Sequence, residues 1–328
     1  MKKTTILAMA LAMLCAFSAC KKEGVFNPKE KLSAIYRSRE YTVTSEYNSY
    51  RNLPKYLAEK WNWDGKKLAS INYYYYDWVN DTTFTTKLDY TLEMTYDGKR
   101  LESISEPGGS VKVKFVYDGR KLEKVVLEDN GAEFTMIEVS YDGKKIDKLT
   151  FREMGDKKGF SAFDKMRGTL LRLMLPDMTL ADRVDYQLTK AVKEGAKDGN
   201  DAVVVYLTWD GDNVSKITTN GREQEITFTY DNKKNPGYGF CGMLVVESYI
   251  DQIDFGLSYL NANNITSITS KYKEYDYDEN GNMTDAEWRT RTQDFSYTYD
   301  GKWPVTRTYV DDSYDEGVTC TKTLYFEY

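Results

Sequence analysis

The chain reads as an all-β protein, an antiparallel meander of stacked hairpin repeats with one helical insertion. Three observations predict this. An aromatic residue followed by Asp-Gly occurs six times: Trp63-Asp64-Gly65, Tyr96-Asp97-Gly98, Tyr117-Asp118-Gly119, Tyr141-Asp142-Gly143, Trp209-Asp210-Gly211 and Tyr299-Asp300-Gly301. The residues before each copy alternate as a half-buried strand does. The Asp or Asn positions then recur at intervals of 21, 24, 21 and 22 residues, long enough for two strands and two turns.

Asp-Gly between alternating apolar runs is a hairpin signal. Both residues tolerate positive φ, which a type I′ turn demands. Leu92, Met94 and Tyr96 share one strand face, as do Val113, Phe115 and Tyr117, and Ile137, Val139 and Tyr141. Val203, Val205, Leu207 and Trp209 repeat the pattern, as do Ile226, Phe228 and Tyr230. The motif aromatic therefore belongs to the core. After each turn the apolar spacing becomes three: Leu101 and Ile104, Leu122 and Val125, Ile146 and Leu149, Val214 and Ile217. Either both faces are covered there or a bulge shifts the register. Three weaker copies extend the series at Tyr230-Asp231-Asn232, Asn261 to Ile268, and Tyr277-Asp278-Glu279-Asn280-Gly281.

The interval between Asp142 and Asp210 carries a different period. Thr179 and Asp182 suit a capped helix start, and Leu180, Val184, Leu188 and Val192 form one stripe. A shorter apolar helix precedes it and ends at Pro176. The helical insert, residues 160–195, is expected to pack as a lid or plug on an open sheet.

The amino terminus reads as a secretory signal, residues 1–19. Lys2 and Lys3 are followed by an apolar stretch from Ile6 to Phe17, too short for a permanent membrane helix. Ser18-Ala19-Cys20 resembles the lipobox of bacterial lipoproteins, which implies cleavage before Cys20 and lipid on its thiol. Residues 20–35 are expected to be a lipidated linker and residues 36–328 a single β-repeat domain. Lys21-Lys22-Glu23 is not an acidic run, which points to the periplasmic face of an outer membrane.

Composition excludes several functions. The formal charge of −6 becomes −8 once Lys2 and Lys3 leave, and no basic cluster stands out in the sequence, so nucleic acid is not an expected partner. With 0 histidines, Ser-His-Asp and Cys-His sites cannot form. No cofactor is expected, and the chain does not read as an enzyme. Asp311 with Asp312 and Asp315 with Glu316 are acid pairs of the sort a glycosidase uses, but they fall in a hairpin loop where solvated charge is the default. Cys241 and Cys320 remain as candidates for a disulfide.

Two constellations suggest ligands. Asp276, Asp278, Asn280, Gly281 and Glu287 match the calcium-loop pattern, with hard oxygen donors around a glycine turn. Their flanks read as strands rather than helices, so the same residues also serve as a hairpin turn. Tyr73 to Tyr76 and Trp78 form the densest aromatic cluster. Alternation puts Tyr74 and Tyr76 on one face and Tyr73 and Tyr75 on the other. With one pair in the core, Tyr74, Tyr76 and Trp78 are candidates for an exposed glycan platform.

The Tyr-Asp-Gly copies, Tyr230 to Pro236, Asn263 to Ile268 and the closing Tyr299-Asp300-Gly301-Lys302-Trp303-Pro304 resemble the YD-repeat group. They more closely resemble a related domain-of-unknown-function family of Gram-negative lipoproteins. The resemblance implies sheets that wrap as shells, in a chain too short for a closed cocoon. It implies no activity. The expected function is a lipid-anchored, non-catalytic binding or scaffold protein of the cell envelope, with an envelope protein or a glycan as partner. A carbohydrate-binding accessory lipoprotein is the alternative.

Overall fold

The computed structural model describes residues 24–44, 50–151, 203–219, 224–241, 260–274, 287–312 and 317–328. The signal segment, Cys20 and the expected helical insert lie outside them. Within them the chain forms 17 strands in one sheet. These are β1 (Ala34–Val43), β2 (Leu53–Asp64), β3 (Lys67–Trp78), β4 (Phe84–Asp97), β5 (Arg100–Ser105), β6 (Val111–Asp118), β7 (Lys121–Asp129), β8 (Ala132–Asp142) and β9 (Lys145–Phe151). The series continues with β10 (Val203–Asp210), β11 (Asn213–Thr219), β12 (Gln224–Tyr230), β13 (Ile265–Glu274), β14 (Glu287–Asp294), β15 (Ser296–Asp300), β16 (Trp303–Asp311) and β17 (Val318–Glu327).

The sheet is an antiparallel meander that nearly closes into a barrel. Apart from β14 and β15, each strand pairs with its sequence neighbours, and β1 pairs with β17 from Ala34 opposite Glu327 to Val43 opposite Val318. The seam lies at Phe295. There β14 pairs with β13, and the chain continues as β15, which pairs with β16. The expectation of an open sheet is thus corrected. What closes it is a pairing between the first and last strands, which no local pattern encodes.

The turn chemistry also differs from the expected type I′. Asp64 pairs with Lys67, so the two loop residues are Gly65 and Lys66. Gly65 has φ +54°, and no motif Asp has positive φ. Glycine therefore occupies the first central position, as in a II′ turn, and Asp ends the strand. The same holds at Gly98, Gly119, Gly143, Gly211 and Gly301. The turn with both central residues at positive φ is Asn130-Gly131, between β7 and β8.

The spacing of three is a bulge. Tyr117 pairs with Leu122 while Val116 pairs with Lys124, which leaves Glu123 as the extra residue. The equivalent shift precedes Trp63, Tyr96, Tyr141, Trp209, Tyr230 and Tyr299. The bulge brings both apolar residues inside, so Leu122 and Val125 are each fully buried.

A wall of this many strands can enclose a water channel. This wall is lined instead by one apolar cluster that includes Leu68, Ile104, Val125, Leu149, Ile217 and Leu324. Phe26 and Leu32, from the segment expected to be linker, are buried in it. Phe240, Cys241 and Leu260, between β12 and β13, are buried in it as well. The opposite faces of the strands carry exposed charge, such as Lys87, Asp89 and Glu93 on β4, Lys112 on β6 and Glu123 on β7.

Candidate functional site at the turn rim

One end of the barrel is built by the repeat. Each motif aromatic bonds to a backbone carbonyl just past the preceding turn. Tyr96 donates to Leu68 at 2.8 Å, Tyr117 to Leu101 at 2.8 Å and Tyr141 to Leu122 at 2.9 Å. The tryptophans substitute their ring N–H: Trp63 donates to Leu32 at 2.7 Å and Trp209 to Ile146 at 2.6 Å. In the last copy Tyr297 makes this bond, to Ile265 at 2.8 Å, and Tyr299 donates instead to the Asp231 carboxylate. The aromatic ring is thus half-buried with its polar atom satisfied, as an amphipathic ring requires.

A cation covers each ring. Lys67 lies 5.2 Å from the Tyr96 ring, Arg100 4.3 Å from Tyr117, Lys121 4.4 Å from Tyr141 and Lys145 5.1 Å from Trp209. The same cations reach the glycine of the next turn: Arg100 donates to the Gly119 carbonyl at 2.9 Å and Lys121 to that of Gly143 at 2.6 Å. In four of the six copies the repeat is therefore aromatic-Asp-Gly-x-basic-apolar, and Arg100, Lys121 and Lys145 each tie one turn to the next.

Where the basic residue or the glycine is missing, asparagine side chains bond one turn to the next. Asn213 donates to Asn263 at 3.0 Å, and the Asn261 side chain accepts from Val214 N at 2.9 Å. Asp231 accepts from Lys233 N at 2.9 Å and from Asn264 Nδ2 at 3.0 Å. This explains the weaker copies.

A cleft of about 600 Å³ opens on this rim. Its floor is Val25, Phe26 and Pro28, its polar edge is Asn27, Asp97 and Lys99, and Tyr238 forms a lip. Tyr238 is 37 % exposed. Phe26 stacks on Phe240 at 4.8 Å between ring centres, and Phe240 meets Trp61 edge-on at 6.2 Å.

A second polar region lies on the inner faces of β1, β2, β16 and β17. Buried Glu59 faces Arg37 at 3.3 Å and accepts from Trp61 Nε1 at 3.0 Å. Burial raises its carboxyl above the ordinary range, against the pull of Arg37. Lys322 pairs with Asp311 at 2.8 Å, both buried. Burial pushes the Tyr309 hydroxyl up to about 12. Asp311 is therefore a structural ion-pair partner rather than solvated charge, while Asp312 pairs with Arg291 at 3.0 Å.

The aromatic cluster is placed differently from the alternation argument. A register shift between Tyr73 and Tyr74 breaks the period. Tyr73 is buried and stacks on Tyr90 at 4.5 Å, while Tyr75 is the exposed ring. Tyr74, Tyr76 and Trp78 are half-buried. Tyr76 and Trp78 pack with Leu53, Tyr56, Ala58 and Phe84 in a small second cluster, and Arg51 lies 4.5 Å from the Trp78 ring. Asp276, Asp278, Asn280 and Gly281 lie outside the described residues. Glu287 opens β14 opposite Glu274 of β13, so strands flank this segment. No group of three or more acidic or thiol side chains suited to a metal occurs among the described residues. Cys241 and Cys320 are both buried and form no disulfide with each other. Cys241 lies 3.5 Å from the Tyr117 hydroxyl, at the rim. Cys320 sits in β17 opposite Asp311 and Tyr41, toward the other end of that strand.

Sequence reasoning missed the rim cleft. Its polar residues belong to a turn motif, and its apolar floor comes from the expected linker.

No protein-family model matches the chain, and no curated protein does. A solved structure described as a porin-like protein from Bacteroides vulgatus ATCC 8482 superimposes with a TM-score of 0.42 at 10 % identity. The superposition covers 91 % of this chain and 99 % of that one.

Proposed function

We propose that the chain is a lipid-anchored, non-catalytic binding or scaffold protein of the cell envelope, of the YD-repeat-like kind. It sits at the outer membrane on the periplasmic side. The observation that carries this reading is the polarity of the barrel wall. A membrane-spanning barrel turns an apolar band outward, and a lysine at the bilayer midplane costs about 2–4 kcal/mol. Here the apolar residues are inside, and Lys87, Lys112 and Glu123 point out. Such a body belongs in water, and lipid on Cys20 supplies its hold on the membrane. The chain's acids support a structural use, since Glu59 and Asp311 are paired with Arg37 and Lys322. The test is fractionation of cells carrying Cys20→Ser. The natural protein is expected with the membranes and the variant in the soluble fraction; membrane retention of the variant would refute the anchor.

The exposed lip of the rim cleft favours a second reading, a carbohydrate-binding accessory lipoprotein. Tyr238 presents a ring beside the hydrogen-bonding side chains Asn27, Asp97 and Lys99. A glycan array separates the two readings. Saturable binding lost on Tyr238→Ala supports the second, and binding that persists in that variant removes it.

A further inference from the structure

The rim has an uneven charge that the described residues do not neutralise. Four consecutive turns, joining β2 to β3, β4 to β5, β6 to β7 and β8 to β9, each carry one Asp and two basic residues. The second basic residue of each turn covers the aromatic ring of the next repeat. The first does neither. Lys66, Lys99, Arg120 and Lys144 are exposed and make no ion pair or hydrogen bond to a described residue. Eight cations against four aspartates leave this arc four charges positive, on a chain whose net charge is −6. The remaining turns carry Asp210, Asp212, Asp231 and Asp300 against Lys233, Lys234 and Lys302, so the arc covers only half the rim.

The chain enters the barrel in the middle of that arc. The Gly24 carbonyl accepts from Leu101 N at 2.8 Å, and Gly24 packs on Arg100 and Tyr117. Only four peptide units separate Gly24 from Cys20, a reach of at most about 14 Å. Long basic side chains shorten that gap to about the Debye length of roughly 8 Å at physiological salt, the range over which headgroup charge is felt.

We propose that this arc docks on the anionic headgroups of the bilayer that holds the anchor, so that the barrel stands with its turn rim against the membrane. This rests on the lipid-anchor reading of Cys20. The Asp-Gly-x-basic turn then has two duties: its second cation builds the fold, and its first meets the membrane.

The experiment keeps the two readings apart. The mass of the amino-terminal peptide from the natural protein reports the anchor. The chain from position 20 carrying Cys20→Ser, which retains every described residue, reports the rim. It is floated with vesicles of about 30 % phosphatidylglycerol, or of phosphatidylcholine alone, in about 20 mM salt. At least tenfold more chain is expected to float with the anionic vesicles, and the excess is expected to vanish in about 0.5 M salt. The variant Lys66→Glu, Lys99→Glu, Arg120→Glu, Lys144→Glu is expected to stay unbound with an unchanged circular dichroism spectrum. A matched variant reversing Lys60, Lys87, Lys112 and Lys271, which are exposed and lie off the rim, is expected to float as the parent does. A parent that does not float, or a rim variant that floats equally, overturns the proposal. A floating parent together with an unmodified natural Cys20 keeps the basic surface and removes the anchor.

Discussion

Tyr117 of β6 donates its hydroxyl hydrogen to the Leu101 carbonyl of the adjoining strand β5 at 2.8 Å. Arg100 covers the same ring at 4.3 Å and donates to Gly119 at 2.9 Å. One aromatic residue thus fastens two turns. Removing only its oxygen, in Tyr117→Phe, leaves a part-buried carbonyl without its donor and is expected to cost about 1–2 kcal/mol. Urea unfolding checks this, with Tyr75→Phe, at an exposed ring, as the control expected to change nothing. Equal midpoints for the two variants would show that the carbonyl bond contributes no stability.

Glycine is required at Gly24 and Gly119 for different reasons. At Gly119, φ is +55° and an added Cβ meets nothing within 4 Å, so Gly119→Ala costs only backbone strain, about 1 kcal/mol. At Gly24, φ is +76° and a Cβ runs into the Tyr117 hydroxyl, 2.6 Å from its ring carbon Cζ and 2.8 Å from Arg100 Cγ. Gly24→Ala is expected to detach the amino-terminal segment as well. Limited proteolysis reads the difference: cleavage between Gly24 and Ser33 appears in Gly24→Ala and not in Gly119→Ala.

Glu59 gives stability a pH dependence of definite sign. Its carboxyl is raised by burial above the 4.5 of a free side chain. The folded state therefore holds the proton more tightly than the unfolded one. Glu59's contribution is fully present below 4.5 and is lost as pH rises through the raised folded value. Glu59→Gln keeps an acceptor for Trp61 but does not titrate. Urea midpoints from about pH 4 to about pH 8 are expected to favour the variant increasingly as pH rises. A difference that stays flat over that range contradicts the raised carboxyl.

The two cysteines make a chemical prediction. Cys241 is 2 % exposed and Cys320 fully buried, and no disulfide joins them. Iodoacetamide is expected to leave both unmodified in the folded protein and to modify both, without prior reductant, once it is unfolded. Failure of both to react after unfolding without reductant would restore the disulfide.

The local part of this fold was legible because it repeats. Glycine at +54° to +58° and the alternation before it mark each tight turn, and the spacing of three marks each bulge. The bulge could not be told from a strand covered on both faces, because the two differ in whether Glu123 of β7 has a partner on the adjoining strand β6. Closure was not legible at all, since it is a pairing of Ala34 with Glu327 that leaves no periodic trace. Strict alternation gives Tyr73 and Tyr75 one face, and the shift after Tyr73 separates them, leaving Tyr73 buried and Tyr75 exposed. The rim cleft escaped notice because Phe26 and Tyr238 come from segments without repeat character, brought together by the closed wall.

The pairing of the first strand with the last also orders events in time. Nearly every other pairing joins sequence neighbours, so the meander can assemble as it is synthesised. The barrel cannot close until Val318 to Glu327 has emerged. Until then β1 and β16 each present a row of unsatisfied backbone donors and acceptors, the surface on which other chains add strands. The final ten-residue strand is therefore this protein's own protection against aggregation, and a chain truncated just before it would carry nearly the whole core and two sticky edges.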